Sequence, residues 1–152
     1  MDPKLQVLIK IANALNAKGV RWAVGGSALL FLKGIVFSFN DLDISVVLED
    51  SQKAREALKE IGDYHSSERL SKSKVFDEFT IDGVDIDLVS GMILESYGKE
   101  YDVSFKNENV EHMELEGADI ILDSLEAWYE IYNLQGRSEK ARYIKDYLLY
   151  HK

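Results

Sequence analysis

Cysteine is absent from this chain of 152 residues. That excludes a disulfide framework, a thiolate zinc site and a cysteine nucleophile, and leaves the cytoplasm as the expected compartment. No continuous apolar block is long enough for a signal peptide or a membrane span, so neither a targeting segment nor a membrane partner is expected. Positive charge is also in short supply: 18 Lys and Arg face 27 Asp and Glu, a net charge of -9. Tight sequence-independent binding to nucleic acid relies on Lys and Arg replacing phosphate counterions, and this balance works against it. The acidity has two readings, simple solubility or clustered carboxylates that await divalent cations.

Hydrophobic residues make up 46% of the chain and charged ones 30%, enough to bury a core while keeping a wettable surface. The length fits one domain over residues 1–152, with no repeat or linker. Leu5, Leu8, Ile9, Ala12 and Leu15 recur at helical spacing behind Asp2, a suitable N-cap, and Pro3, the only proline. Residues 20–24 form a short apolar, β-prone run that stops at Gly25-Gly26, and Ser27 can cap a short helix running to Lys33. A strand over residues 41–48 puts Asp41, Asp43 and Ser45 on one face and Leu42, Ile44, Val46 and Leu48 on the other. Ser51 opens a third helix burying Ala54, Ala57, Leu58 and Ile61; residues 63–74 are polar and predict a loop.

Asp82-Gly83, between apolar runs at residues 75–81 and 84–90, is the dipeptide of a two-residue hairpin turn. The second strand carries Asp85, Asp87 and Val89 on one side. Residues 91–115 predict a short helix near residues 92–97 and then one or two strands. Asp123 and Glu126 have capping-box spacing before a helix that carries Leu125, Trp128, Tyr129 and Tyr132 to Gly136, and Ser138 opens a last helix with Ile144, Tyr147 and Leu148. The expected fold is α+β: a small mixed, twisted sheet backed by helices, with two C-terminal helices within residues 119–150.

Gly25, Gly26 and Ser27, then Asp41 and Asp43, then Asp85 and Asp87 form the informative constellation. Singly, each has a common structural reading, a tight turn or a solvated strand face. Together they suggest chemistry. Glycines let backbone N–H groups approach a phosphate, and the helix behind them adds a favourable dipole and the Ser27 hydroxyl. Carboxylates at i and i+2 of a strand lie roughly 6.5–7 Å apart, within reach of metals about 3.5–4 Å apart, with a third acid from a neighbouring strand. Hard oxygen donors select Mg²⁺ or Mn²⁺, and magnesium commonly bridges carboxylates to nucleotide phosphates. The dinucleotide fingerprint and the P-loop are both absent, and an EF-hand would need its acids in one local loop.

The segments Trp22-Ala23-Val24-Gly25-Gly26-Ser27-Ala28-Leu29, Asn40-Asp41-Leu42-Asp43-Ile44 and Gly83-Val84-Asp85-Ile86-Asp87-Leu88-Val89-Ser90 resemble the nucleotidyltransferase superfamily across residues 20–90. Its members share a Gly-Gly or Gly-Ser turn, an Asp-x-Asp on the next strand and a third acid on a later one. The resemblance implies a metal-dependent, ATP-binding enzyme of the minimal, polymerase-beta-like fold. Asp41, Asp43 and Asp87 would be the metal and catalytic ligands, with Asp85 as the alternative third acid, and Gly25, Gly26 and Ser27 would bind the triphosphate. The reaction would move a nucleoside monophosphate onto a hydroxyl of a small molecule, protein or RNA. Small relatives often place an Arg and a Thr just before the Asp pair, where this chain has Phe37 and Phe39. Arg137 and Lys140 loosely resemble a basic helix start in minimal transferases.

A second reading is a catalytically inactive module of this fold, such as an antitoxin-like partner, and a third is a homo-oligomer built on the C-terminal aromatic helices. Those aromatics point to core packing or a dimer face before base stacking. His65, His112 and His151 are scattered and read as surface residues.

Overall fold

The fold is seen in a computed structural model that describes residues 1–65 and 72–151. Helix α1 (Pro3–Ala17) begins as the sequence predicts, with the Asp2 carboxylate accepting the Lys4 N–H at 2.8 Å. Its buried stripe is turned from the expected one: Val7 and Ile11 join Leu8, Ala12 and Leu15, while Leu5 and Ile9 are half-buried. Strand β1 (Trp22–Gly25) follows, then α2 (Gly26–Leu32), β2 (Leu42–Val46), a 3-10 turn (Leu48–Asp50), α3 (Ser51–Lys59) and β3 (Asp63–His65). The β4–β5 hairpin (Val75–Ile81, Val84–Ser90) turns on Asp82 and Gly83, both at positive φ, as a type I′ turn requires. Two further hairpins, β6–β7 (Ile93–Ser96, Lys99–Asp102) and β8–β9 (Glu111–Leu115, Ala118–Leu122), lead to α4 (Leu125–Leu134) and α5 (Ser138–Tyr150).

Seven strands form one mixed sheet in the order β3-β4-β5-β2-β1-β9-β8. β2–β5 and β1–β9 are parallel, and the other pairs are antiparallel. Leu42, Ile44 and Val46 of β2 and Ile86 and Leu88 of β5 are buried on one face, in a single apolar cluster with Leu8, Ile11, Leu15, Leu29 and Leu58 of the helices. Period-two alternation therefore directs Asp43, Ser45 and Asp87 to the opposite face.

Three local expectations are corrected. Residues 92–97 do not form a helix: Ile93–Ser96 pairs with Lys99–Asp102 around Tyr97 and Gly98, both at positive φ, and a tight turn there ends any helical register. Asp63–His65 is a strand, paired with β4, and not the start of a loop; the rest of that predicted loop up to residue 71 lies outside the described residues. The β2 strand is also shorter than predicted, and Asp41 precedes it.

One ion pair ties the entry of β1 to the turn before α3. Arg21 donates to the buried Asp50 carboxylate through its backbone N–H at 2.9 Å, Nε at 2.9 Å and Nη2 at 3.3 Å. The Arg21 hydrogen bonds hold Asp50 below its ordinary value of 3.8, against the upward push of burial. A carboxylate depressed by folding contributes stability that is fully present above its unfolded pKa and is lost as pH falls through the folded one. Asp50→Asn should therefore lower the urea midpoint at neutral pH, and the gap from wild type should narrow below about pH 4, read from urea titrations across the acid range.

Candidate functional site

The parallel register of β2 and β5 sets Asp43 directly beside Asp87, with Ile44 against Leu88 and Ser45 against Val89. Neighbouring strands lie about 4.8 Å apart, so the two carboxylates stand side by side on the open face. Asp41, exposed and one residue ahead of β2, lines the same cavity of about 420 Å³. Asp85 does not: it lies opposite Thr80, is exposed, and accepts the Thr80 hydroxyl at 3.4 Å. Parity allows either aspartate, whereas register with β2 brings only Asp87 into this wall.

Gly25 and Gly26 fill a role the sequence does not reveal. Gly26 sits at φ +60, and a Cβ there would lie 2.0 Å from Asp43 Oδ2. At Gly25, which is paired with Asp43 across the antiparallel β1–β2 ladder, a Cβ would lie 2.2 Å from Trp128 Nε1. Each glycine leaves room for a side chain of the protein itself, one a carboxylate and the other an indole. Neither lines the cavity, although Ser27 does. Ser27 is not the N-cap of α2 either; that position is Gly25, with no side-chain cap bond.

The rest of the cavity comes from α4, the start of α5 and apolar residues of the sheet side. Trp128, Tyr132, Gln135, Arg137 and Lys140 line it, with Phe39, Phe76, Val89 and Met92. Trp128 and Tyr132 pack at 5.4 Å between ring centroids, and Lys140 Nζ lies 5.5 Å from the Tyr132 ring centre. Burial first, and then the Asp43 charge, pushes the Tyr132 hydroxyl pKa up, with Arg137 opposing. Sequence periodicity assigns these aromatics to the core, and they are buried, yet they are also cavity wall. Trp128 and Tyr132 are spaced i, i+4 just before the cationic pair, and that is the one signal that points to them. Arg137 and Lys140, resembling a basic helix start, do reach the site. Phe39 is buried against Phe31 beside the cavity, while Phe37 is fully exposed and outside it.

A second cavity, of about 370 Å³, adjoins the first along Ser45 and Met92. Asp102, Glu108, Asp123, Glu126 and Glu130 line it, with Lys106. Between the two lies a buried polar contact. Asp123 accepts Trp128 Nε1–H at 3.1 Å and the Ser124 N–H at 2.8 Å, and burial pushes its carboxyl pKa up against these bonds. Asp123 is thus not the cap of α4 that capping-box spacing suggests. Ser124 is, accepting the Ala127 N–H at 3.0 Å.

Among the described residues, no group of three or more acidic or imidazole side chains stands close enough together to hold a metal ion as placed. Asp41, Asp43 and Asp87 are gathered on one wall without converging on a point. Their chemistry fits a hard cation: all three supply carboxylate oxygens, and Asp43 and Asp87 are register partners on adjacent strands.

Among solved structures, the chain matches that of a Thermotoga maritima protein assigned as a nucleotidyltransferase, with a TM-score of 0.74 and 26% identity over 99% of this chain and 96% of that one. It also matches ANT(2″)-Ia in complex with adenylyl-2″-tobramycin, with a TM-score of 0.66 and 12% identity over 95% and 89% of the two chains. The lincomycin-bound lincosamide antibiotic adenylyltransferase LnuA gives a TM-score of 0.59 and 16% identity over 95% and 96%. At those lower identities the likeness is one of fold. Neither a protein-family model nor a curated protein matches the chain. Carrying this α+β fold, the chain belongs to the nucleotidyltransferase-fold superfamily.

The glycine geometry gives a direct test. Gly26→Ala combines positive-φ strain of about 1–2 kcal/mol with overpacking of about 1–3 kcal/mol. Gly34→Ala carries the strain alone, since its φ is +76 and nothing lies within 4 Å of its Cβ position. Urea unfolding should show the first variant losing clearly more stability than the second.

Proposed function

We propose that this chain transfers a nucleoside monophosphate from a nucleoside triphosphate, ATP included, to a hydroxyl acceptor. The observation that carries the reading is the register pair Asp43–Asp87, joined by Asp41, in a cavity whose lining also supplies Arg137 and Lys140. Carboxylates alone repel a triphosphate. Arg137, at the N-cap of α5, and Lys140 in its first turn offset that repulsion locally, in a protein whose net charge is -9.

In this reading Ser27, Arg137 and Lys140 hold the phosphate chain, with the Gly25-Gly26 turn behind it. Mg²⁺ or Mn²⁺, when bound, would be held by Asp41, Asp43 and Asp87 and would neutralise charge on the phosphates. The acceptor enters from the adjoining cavity, whose carboxylate lining disfavours an anionic compound. Its hydroxyl oxygen forms a bond to the α-phosphorus while the bond from that phosphorus to the β-phosphate oxygen breaks, releasing pyrophosphate. The hydroxyl proton passes to Asp87. Positioning and charge neutralisation supply most of the rate, because no covalent intermediate is needed. The structural neighbours that carry adenylyl-tobramycin and lincomycin support a fold able to serve small hydroxylated acceptors.

The test is incubation with each α-labelled triphosphate and Mg²⁺ or Mn²⁺ in cell extract. Label should move to an acceptor with wild type, and Asp43→Asn or Asp87→Asn should cut the transfer by about 100-fold or more. Asp85→Asn, altering a carboxylate outside the cavity, should stay within about threefold of wild type. Absence of transfer by wild type with every triphosphate would favour a binding module that has kept the fold.

A further inference from the structure

Asp123 is a costly residue where it stands. It is buried, at 7% exposure, and a carboxylate is retained in such a place only with hydrogen-bond partners. Its partners are two N–H groups: Ser124 N at 2.8 Å on Oδ1, and Trp128 Nε1 at 3.1 Å on Oδ2. The Asp123 backbone N–H also donates to Val24 O at 3.0 Å, so the residue is anchored to the end of β1 as well as to the start of α4. An asparagine could accept from one of those two donors, the Ser124 backbone N–H or the Trp128 indole N–H, but its amide NH₂ would then meet the other. The carboxylate is the group that accepts both.

This double acceptor fixes one ring. With Nε1 tethered, the Trp128 indole presents its Nε1, Cε2 and Cζ2 edge to Gly25, at 2.2, 2.3 and 2.4 Å from where a Cβ would be. The ring occupies the space of the side chain that Gly25 lacks. Gly25 is the register partner of Asp43, and Gly26, at φ +60, lies against Asp43 Oδ2. A continuous line of contacts therefore runs from Asp123 through Trp128 and the glycine pair to the Asp43 carboxylate.

We propose that Asp123 is a positioning residue: through the tethered Trp128 indole it clamps the Gly25-Gly26 turn and so holds the Asp43 carboxylate in its place beside Asp87. The kinetic part rests on the nucleotidyl-transfer reading; the geometric part does not. A shift of about 1 Å in a reacting geometry is enough for a loss of order 100-fold. Releasing the clamp should therefore act on turnover and leave nucleotide binding, carried by Ser27, Arg137 and Lys140, nearly intact.

The experiment uses full-length protein, as wild type, Asp123→Asn and Trp128→Phe. Two-dimensional ¹H–¹⁵N NMR of the ¹⁵N-labelled proteins reads the clamp without any substrate. Both variants should shift the Gly25 and Gly26 amide signals while amides of α1, α3 and β4 stay in place, and in Asp123→Asn the Trp128 indole N–H should exchange faster with solvent. In the label-transfer assay Asp123→Asn, which leaves the lining of the nucleotide cavity unaltered, should lower kcat by about 10–100-fold with the KM for the triphosphate within about threefold. Unchanged Gly25 and Gly26 signals in both variants, or a kcat of Asp123→Asn equal to that of an active wild type, would overturn the proposal. So would loss of the native spectrum in both variants, which would assign the pair to folding alone. If wild type transfers no label but the glycine signals respond, the nucleotidyl-transfer reading fails and the clamp stands.

Discussion

Parallel pairing of β2 with β5 is the constraint on which the remainder of the site depends. Two strands far apart in sequence become neighbours, and their register sets Asp43 against Asp87. A slip of one residue would send every side chain of one strand to the other face, exchanging Leu42, Ile44 and Val46 for aspartate and serine in the core. The apolar face thus fixes the register, and the register fixes the carboxylates. Burial of Ile44, Ile86 and Leu88 is in that sense what aligns the acids.

β1 completes the arrangement from the other side. It pairs with β2 so that Gly25 falls opposite Asp43, and the chain leaves the sheet at once into α2. Such a turn is usually read as room for a ligand's phosphate. Here the room at Gly25 is taken by the Trp128 indole and that at Gly26 by the Asp43 carboxylate. The glycines are spacers between parts of the protein, and their neighbour Ser27 is the residue that faces the cavity. α4 and α5, which follow the last hairpin, close the site and bring Arg137 and Lys140 into a lining otherwise supplied with acids.

Much of this was legible in the chain. Asp2 and Pro3 mark the start of α1 because a cap acceptor and a fixed φ act locally. Asp82-Gly83 marks the β4–β5 turn for the same reason. The alternation around Asp43 and Asp87 gives a strand with a polar face. Residues 92–97 misled because a short stretch with few strong signals takes its conformation from its partner strand, and Tyr97 adopts a positive φ that its residue type does not announce. Asp123 misled in another way: its spacing to Glu126 suggests a cap, but its carboxylate is turned to the Trp128 indole and Ser124 takes the cap.

By itself the sequence determined the α+β class, the elements whose ends are set by local chemistry, and an acidic set behind a glycine turn made of Asp41 and Asp43 with either Asp85 or Asp87. Tertiary structure alone decided that Asp87 and not Asp85 joins the wall, that Trp128 and Tyr132 are cavity as well as core, and that both glycines are filled by the protein's own side chains. The division has a physical cause. Caps, turns and periodicity depend on a few neighbouring residues, whereas strand register and the contacts of α4 with β1 arise between segments that meet only when the apolar face of the whole sheet is buried.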